Sequence, residues 1–451
     1  MPTLLVRNAA ILVTMDDASR ELSDACLFAR DGRIEQVGPS CTLPKTADEI
    51  LDLANHIVIP GLINTHHHLY QNLTRVVPAG QNELLFGWLT SLYPIWARMG
   101  PEHIRVSALV GLAELALSGC TTASDHLYMF PNGARLDDEI FAAREIGMRF
   151  TATRGSMSIG ETQGGLPPDS IVEKPDAILK DCERVIAAYH DASPLSMLRI
   201  ALAPCSPFSV SRELMRDTAA MAARHKIGLH THLAENVEDI AYSKEKFGMR
   251  PGQYVEECGW TGEHVWHAHC CVLDDAEIDL FARTKTGIAH CPTSNMRLGS
   301  GIAPVRKMLD RGVKIGLGVD GSASNDSGDL LLEARMAMLA QRLGGNAGAL
   351  TAREALRIAT RGGASVLGRA KEIGQLTPGF AADFAAYPLD TVAMAGTQWD
   401  PVAGLIFSGP HRAAYTYVHG RAVVSGGLVT GIDLGRTLQR HSALVRALVE
   451  G

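Results

Sequence analysis

Between about residue 58 and residue 365, short apolar runs alternate with helix-like segments eight times. The runs are IVIPGLINTHHH, TTASDH, RFTATRG, LRIALAPC, IGLHTHLAE, VWHAHC, TGIAHCP and VKIGLGVD. Stretches such as PEHIRVSALVGLAELALSG and SRELMRDTAAMAARHK lie between them. A parallel strand covered on both faces reads as a short apolar run, and reaching its parallel neighbour takes a crossover helix. Eight such repeats predict an α/β fold, a TIM-like (β/α)8 barrel wrapped by its helices. Polar residues gather at the C-terminal ends of most runs, the rim where such barrels carry their chemistry.

The two ends of the chain differ from this middle. Residues 3–15 and 25–38 read as strands, the second with an Asp31-Gly32 hairpin signal. Near the far end, AAYTYVHGRAVVSGG has the same character, with His419-Gly420 at its turn. Strands from both ends are expected to pair into one small β-sandwich domain, residues 1–57 with 366–451, beside a barrel domain of residues 58–365. The last stretch, LGRTLQRHSALVRALVE, reads as an amphipathic helix added to the small domain.

With 451 residues, 46% hydrophobic and 20% charged, the chain can bury a substantial core and carries no disordered bias. A formal net charge of −7 argues against nucleic acid or an anionic membrane as partner. No stretch approaches the roughly 18 apolar residues of a membrane span. The opening MPTLLVRNAAILVTMDD lacks the basic start and small-residue cleavage site of a signal peptide. Nine scattered cysteines, with Cys270, Cys271 and Cys291 in apolar runs, read as reduced thiols of a cytoplasmic protein and not as a disulfide framework.

NTHHHL places His66 and His68 on one face at the end of a buried strand, with His67 on the other. Two imidazoles sharing a face begin a metal site, although three chance histidines in a polar loop would look the same. HTHLAEN, VWHAHCC and GLGVDGSASN then set further histidines and carboxylates at the same end of later strands. His230 and His232 share a face, Glu235 comes just beyond, His269 ends its run, and Asp320 closes the eighth strand before Gly321. Alone, Asp320 would read as a cap or turn residue, since GSASN suits a helix start. Four such strand ends converging on one rim favour chemistry.

Taken together, PGLINTHHH (60–68), HLAE (232–235), AHCC (268–271), HCPTSNMRLGSGIAP (290–304) and GVDGSASN (318–325) resemble the amidohydrolase superfamily in its deaminase and chlorohydrolase branch. The resemblance runs along nearly the whole chain. It implies that His66, His68, His232 and Asp320 bind one metal, that Glu235 shuttles protons, and that His269 positions or polarises the attacking water. Asp320, beside that water, can accept its proton. Binuclear members of the superfamily carry a carboxylated lysine at the fourth strand end. Here LRIALAPCSPF offers Cys205 and no lysine, which implies one zinc ion per chain. Iron(II) or manganese(II) suits the same ligands. Imidazoles and one carboxylate leave zinc an open position for water, whose pKa falls toward about 7. A glutamate outside the ligand set can then protonate a ring nitrogen of the substrate.

HHHLYQNLTRVVPAGQNELLFGWLTSLYPIW and SDHLYMFPNG are similar to the guanine and 8-oxoguanine deaminases of that branch. The likeness implies that Gln71 hydrogen-bonds a purine edge, that Cys205 replaces an arginine of the guanine pocket, and that His126 faces substrate. Cys205 also reads as a soft metal ligand or a small buried apolar residue. Trp88, Tyr93 and Trp96 suit stacking on a planar ring and suit helix packing equally well. The implied reaction is hydrolytic deamination of an oxopurine, 8-oxoguanine to urate and ammonia. A triazine hydrolase competes, because loss of chloride or an alkylamine from a flat ring uses the same attack. A catalytically dead barrel serving as a scaffold is the remaining reading, and the full ligand set stands against it. The branch further implies a homo-oligomer acting on a small nucleobase-like molecule.

Overall fold

A computed structural model of the chain describes residues 1–39 and 44–450. Eight parallel strands close into a barrel: β1 (Leu62–Asn64), β2 (Cys120–Leu127), β3 (Arg149–Ser156), β4 (Leu198–Pro204), β5 (Gly228–Leu233), β6 (Val265–His269), β7 (Gly287–His290) and β8 (Lys314–Leu317). Closure comes where Leu317 of β8 pairs with Asn64 of β1. These strands are the eight apolar runs of the sequence. Every residue of β2, β3, β6 and β7 is buried, as strands covered on both faces require. The crossover helices supply the cover. In Arg212–His225, for example, Leu214, Met215, Met221 and Ala222 are buried, and the Ser211 hydroxyl caps the helix start by accepting from the Leu214 amide.

Strands from the two ends of the chain join in one nine-stranded sheet. The ends meet where His56–Pro60 pairs antiparallel with Phe384–Pro388. A bulge between Val6 and Ala9, with Asn8 at φ 56°, divides the long strand Thr3–Val13. Its first half pairs with Glu49–Asp52 and its second with His56–Pro60. The sheet has its own core, including Val6, Leu12, Leu27, Val58, Phe384 and Tyr417. Strand His56–Pro60 continues into β1 after the single residue Gly61, where a Cβ would lie 2.1 Å from Thr121 Oγ1. A buried ion pair ties the same two layers. Arg149 on β3 reaches Asp383 at 2.9 Å, and Asp383 Oδ1 accepts the His419 amide at 2.6 Å.

Leu434–Glu450 is helical, as its periodicity predicts. It lies against the barrel helix Pro101–Leu117 and buries Leu444 and Leu448 in the barrel's core. No helix among the described residues is long and apolar enough to cross a membrane. The eight described cysteines are buried. Cys41 lies outside the described residues.

Candidate active site

The first and last barrel strands deliver their motifs to one place, because His67–His68 pairs in parallel with Asp320–Gly321 just above the barrel. A Cβ on Gly321 would meet Gln71 Oε1 at 1.8 Å, so glycine there admits the Gln71 side chain. Ala234, His269 and Asp320 take φ of 48°, 69° and 62°. The left-handed region costs a non-glycine residue about 1–3 kcal/mol. The three sit where β5, β6 and β8 must end and turn Glu235, His269 and Asp320 over the barrel mouth.

His66 Nε2 lies 3.2 Å from Asp320 Oδ1. His68 Nε2 lies 3.4 Å from the same oxygen and 3.1 Å from His232 Nε2. His68 donates from Nδ1 to the His126 carbonyl at 2.7 Å, and His232 from Nδ1 to the Cys205 carbonyl at 2.6 Å. A carbonyl only accepts, so both rings carry their proton on Nδ1 and turn bare Nε2 lone pairs on each other. His66 Nε2 is buried without a hydrogen-bond partner. Burial pushes all three imidazoles below the ordinary histidine range and keeps them neutral, the form that ligates. Bare lone pairs crowded against a carboxylate oxygen repel one another unless a cation sits among them. This donor set fits a divalent ion that accepts nitrogen and oxygen, such as zinc. Potential ligand atoms of His66, His68, His126 and His232 lie within 4.8 Å of one another, as do those of His66, His269 and Asp320.

Hydroxyls fix the two carboxylates differently. Asp320 Oδ2 accepts from Ser294 Oγ at 2.5 Å and from Ser324 Oγ at 3.1 Å, which leaves Oδ1 facing the histidines. Among the described residues Glu235 Oε1 accepts only from Ser300 Oγ, at 3.0 Å, and Oε2 lies 3.5 Å from His269 Nε2. His269 donates from Nδ1 to Asn295 Oδ1 at 2.8 Å. Burial pushes the Glu235 carboxyl above its ordinary range, against the pull of His269. Burial works to lower His269, but the charges of Glu235 and Asp320 outweigh it and lift the imidazole above its ordinary range. A carboxyl and an imidazole therefore face each other beside the donor set, and the charge that lifts His269 is present only while Glu235 is ionised.

Gln71, Trp88, Tyr128, Cys205 and Phe208 complete the walls of the cavity above these groups. Larger clefts elsewhere on the barrel lie by Lys314 and Lys226, the residues at or near the N-terminal ends of β8 and β5, away from this chemistry. Gln71 Oε1 accepts the Ala323 amide at 3.3 Å, and the Trp88 indole donates to the Ala323 carbonyl at 3.0 Å. Burial pushes the Cys205 thiol up to about 12, and the sulfur stands 3.9 Å from His232 Nδ1. The closer contact Cys205 makes with the donor set runs through its main-chain oxygen.

Tyr93 and Trp96 pack behind Trp88 and do not reach the cavity, with Trp96 Nε1 donating to Thr74 Oγ1 at 3.0 Å. His126, expected against substrate, also stands behind the wall. Its ring stacks on His232 at 4.7 Å, Nε2 donates to the Ala203 carbonyl at 2.8 Å, and Nδ1 has no partner. The reason is where the strand ends: β2 runs past His126 to Leu127, and Tyr128 just beyond it, its ring 5.4 Å from that of His126, takes the wall position. Ser294, Asn295, Ser300 and Ser324 lie within the recognisable motifs, yet nothing in their spacing announces which side chain each holds.

Residues 57–431 match the family model described as "Amidohydrolase family". The chain is 46% identical over 428 residues to the 8-oxoguanine deaminase of Pseudomonas aeruginosa, covering 94% of this chain and 95% of that enzyme. It is 38% identical to an isoxanthopterin deaminase from an unknown prokaryotic organism, covering 99% of this chain and 98% of that one. Among solved structures, the atrazine chlorohydrolase of Arthrobacter aurescens TC1 complexed with zinc matches with a TM-score of 0.93 at 37% identity, covering 98% of this chain and 100% of that chain. With an eightfold barrel, a β domain built from both ends and near full-length similarity, the chain belongs to the amidohydrolase family.

Proposed function

We propose that this protein is a zinc-dependent deaminase that hydrolyses an oxopurine, 8-oxoguanine before others, to urate and ammonia. The observation that carries the reaction type is the juxtaposition of three bare imidazole nitrogens and Asp320 Oδ1 with the Glu235–His269 pair. The substrate rests on the 46% identity to the 8-oxoguanine deaminase. His66, His68, His232 and Asp320 would hold one divalent ion, which supplies a Lewis acid that makes water nucleophilic near neutral pH. Glu235, holding a proton, protonates the ring nitrogen beside the amino-bearing carbon and recovers a proton from the adduct's hydroxyl as that oxygen becomes a carbonyl, while the proton that Asp320 takes from water leaves with the amine. His269, fixed by Asn295, orients the attacking water, and Asp320 takes up its proton. Water adds to the carbon, the C–N bond breaks, and ammonia leaves.

Gln71 faces this chemistry with one oxygen already engaged by the Ala323 amide. Its Nε2 donates to Tyr70 Oη at 3.4 Å, so each end of the amide keeps one further hydrogen-bonding position, an acceptor and a donor, for a substrate edge. Trp88 and Phe208 offer flat apolar surface to the ring. The buried free thiols of Cys120, Cys182, Cys258, Cys270, Cys271 and Cys291 support a reducing compartment, the cytoplasm. A second reading, triazine hydrolysis, is favoured by the match to the atrazine chlorohydrolase and would use the same residues.

The test is ammonia release from 8-oxoguanine, guanine and isoxanthopterin, run beside dechlorination of a chlorotriazine. Highest kcat/KM is expected for 8-oxoguanine. Gln71→Ala should lower that value while zinc stays bound. Preferred turnover of the chlorotriazine, or no ammonia from 8-oxoguanine, would refute the substrate.

A further inference from the structure

We infer that His230 is a positioning residue that decides which nitrogen of His66 is offered to the metal. The inference rests on the metal reading proposed above. His68 and His232 are oriented by main-chain carbonyls, which accept and can do nothing else. His66 differs. Its Nδ1 meets another imidazole, His230 Nε2, at 2.7 Å, with both rings buried. Two facing imidazoles are ambiguous, because either can be the donor.

The ambiguity is resolved one step further away. His230 Nδ1 lies 2.9 Å from the Trp266 carbonyl oxygen. That oxygen only accepts, so neutral His230 carries its proton on Nδ1 and presents a bare Nε2. His66 must then donate from Nδ1, and its own Nε2 is left as a lone pair 3.2 Å from Asp320 Oδ1. The opposite tautomer would aim a hydrogen at the metal position and leave the His230 Nδ1 lone pair against the Trp266 carbonyl. Trp266 is itself held: its ring stacks on His230 at 4.8 Å and 15°, and its indole donates to the Thr65 carbonyl at 3.1 Å, one residue before His66. Main-chain pairing of β5 with β6 sets His230 opposite Trp266, so the barrel itself sets the relay. His67 and His290, also fully buried, show the alternative of a histidine that only fills space, since neither ring nitrogen of either has a partner.

Outer groups that orient a metal-binding histidine typically account for about 10–100-fold in metal affinity. The experiment compares the parent with His230→Leu and His230→Gln, stripped of metal and titrated with zinc against a chromophoric chelator. Melting of the metal-free proteins and cobalt(II) absorption spectra accompany the titration. His230→Leu removes the acceptor and should weaken zinc binding by about 10–100-fold and shift the cobalt bands. His230→Gln keeps an oxygen acceptor and should recover most of the affinity, although both variants lower the melting temperature alike. Parent-like zinc affinity in His230→Leu, or a folded His230→Gln as weak as His230→Leu, would overturn the relay. A 15N-histidine NMR spectrum of the zinc-loaded parent reads the tautomer without any variant: Nδ1–H on His230 supports the relay, and Nε2–H overturns it. A parent that binds no zinc would defeat the metal reading itself, a separate outcome from parent binding that His230→Leu leaves unchanged.

Discussion

Glu235 and Asp320 are both buried on one rim, and their neighbours divide the work between them. Asp320 spends Oδ2 on two serine hydroxyls and turns Oδ1 to the histidines, as a ligand must. Glu235 accepts one hydroxyl, and its carboxyl is raised by burial, as suits a group that carries a proton. Glu235→Gln should therefore keep zinc and lose roughly 10²–10⁴-fold in kcat. Metal analysis and single-turnover rates check this together, and a metal-free variant would make Glu235 a ligand. Because the active form is protonated, kcat should fall as pH rises through the raised Glu235 pKa. The ligand histidines are legible in the sequence because a strand repeats every two residues, so H-x-H declares a shared face. The serines are not, since Ser294 and Asp320 stand 26 residues apart with no period linking them. His126 lies on β2 and Tyr128 one residue past its end, their ring centroids 5.4 Å apart, and alternation alone does not say which of the two stands at the cavity.

Element by element, the barrel is legible because each strand is covered on both faces and so reads as an unbroken apolar run. What that pattern hides is polar burial between a strand and its helix. Asp125 on β2 and Glu139 on the helix Leu136–Ile146 are both buried, and Asp125 Oδ1 also accepts the Leu69 amide at 2.6 Å, directly after His68. In the sequence Glu139 merely joins Asp137 and Asp138 in an acidic first turn. Burial pushes Asp125 up to about 7 and, with the charge of Asp125, pushes Glu139 well above its ordinary range. In an unfolded chain both ionise at about 4. The folded pair therefore holds extra protons between those limits, and the stability this contributes is complete below about pH 4 and lost as pH rises through about 7. Glu139→Gln supplies an amide donor to Asp125 in place of the shared proton. Its melting temperature relative to the parent should improve from pH 5 to pH 8, and a difference independent of pH would dismiss the pair as a pH-sensitive element.

On the scale of the whole molecule, both chain ends return to support the first barrel strand and the turn beyond it. The β character of the ends is legible from alternation and turn signals. The docking of the last helix is not, because amphipathic periodicity shows that an apolar face exists without naming its partner. Leu434–Glu450 lies on Pro101–Leu117 and against Leu69–Thr74, the turn directly after His68 that carries Gln71. Arg98 Nη2 donates to the Leu448 carbonyl at 2.5 Å, and Arg440 pairs with Glu102 across half-exposed side chains. Apolar burial outweighs that surface pair: Leu444→Ala should cost about 2–5 kcal/mol, and Arg440→Ala less than about 1 kcal/mol. The helix packs against the turn that carries Gln71. Leu444→Ala should accordingly lower the melting temperature and raise KM more than it lowers kcat, with zinc affinity unchanged. Zinc loss at parent-like KM would mean that the helix supports His68 and not Gln71. An unaltered melting temperature would mean that it supports neither.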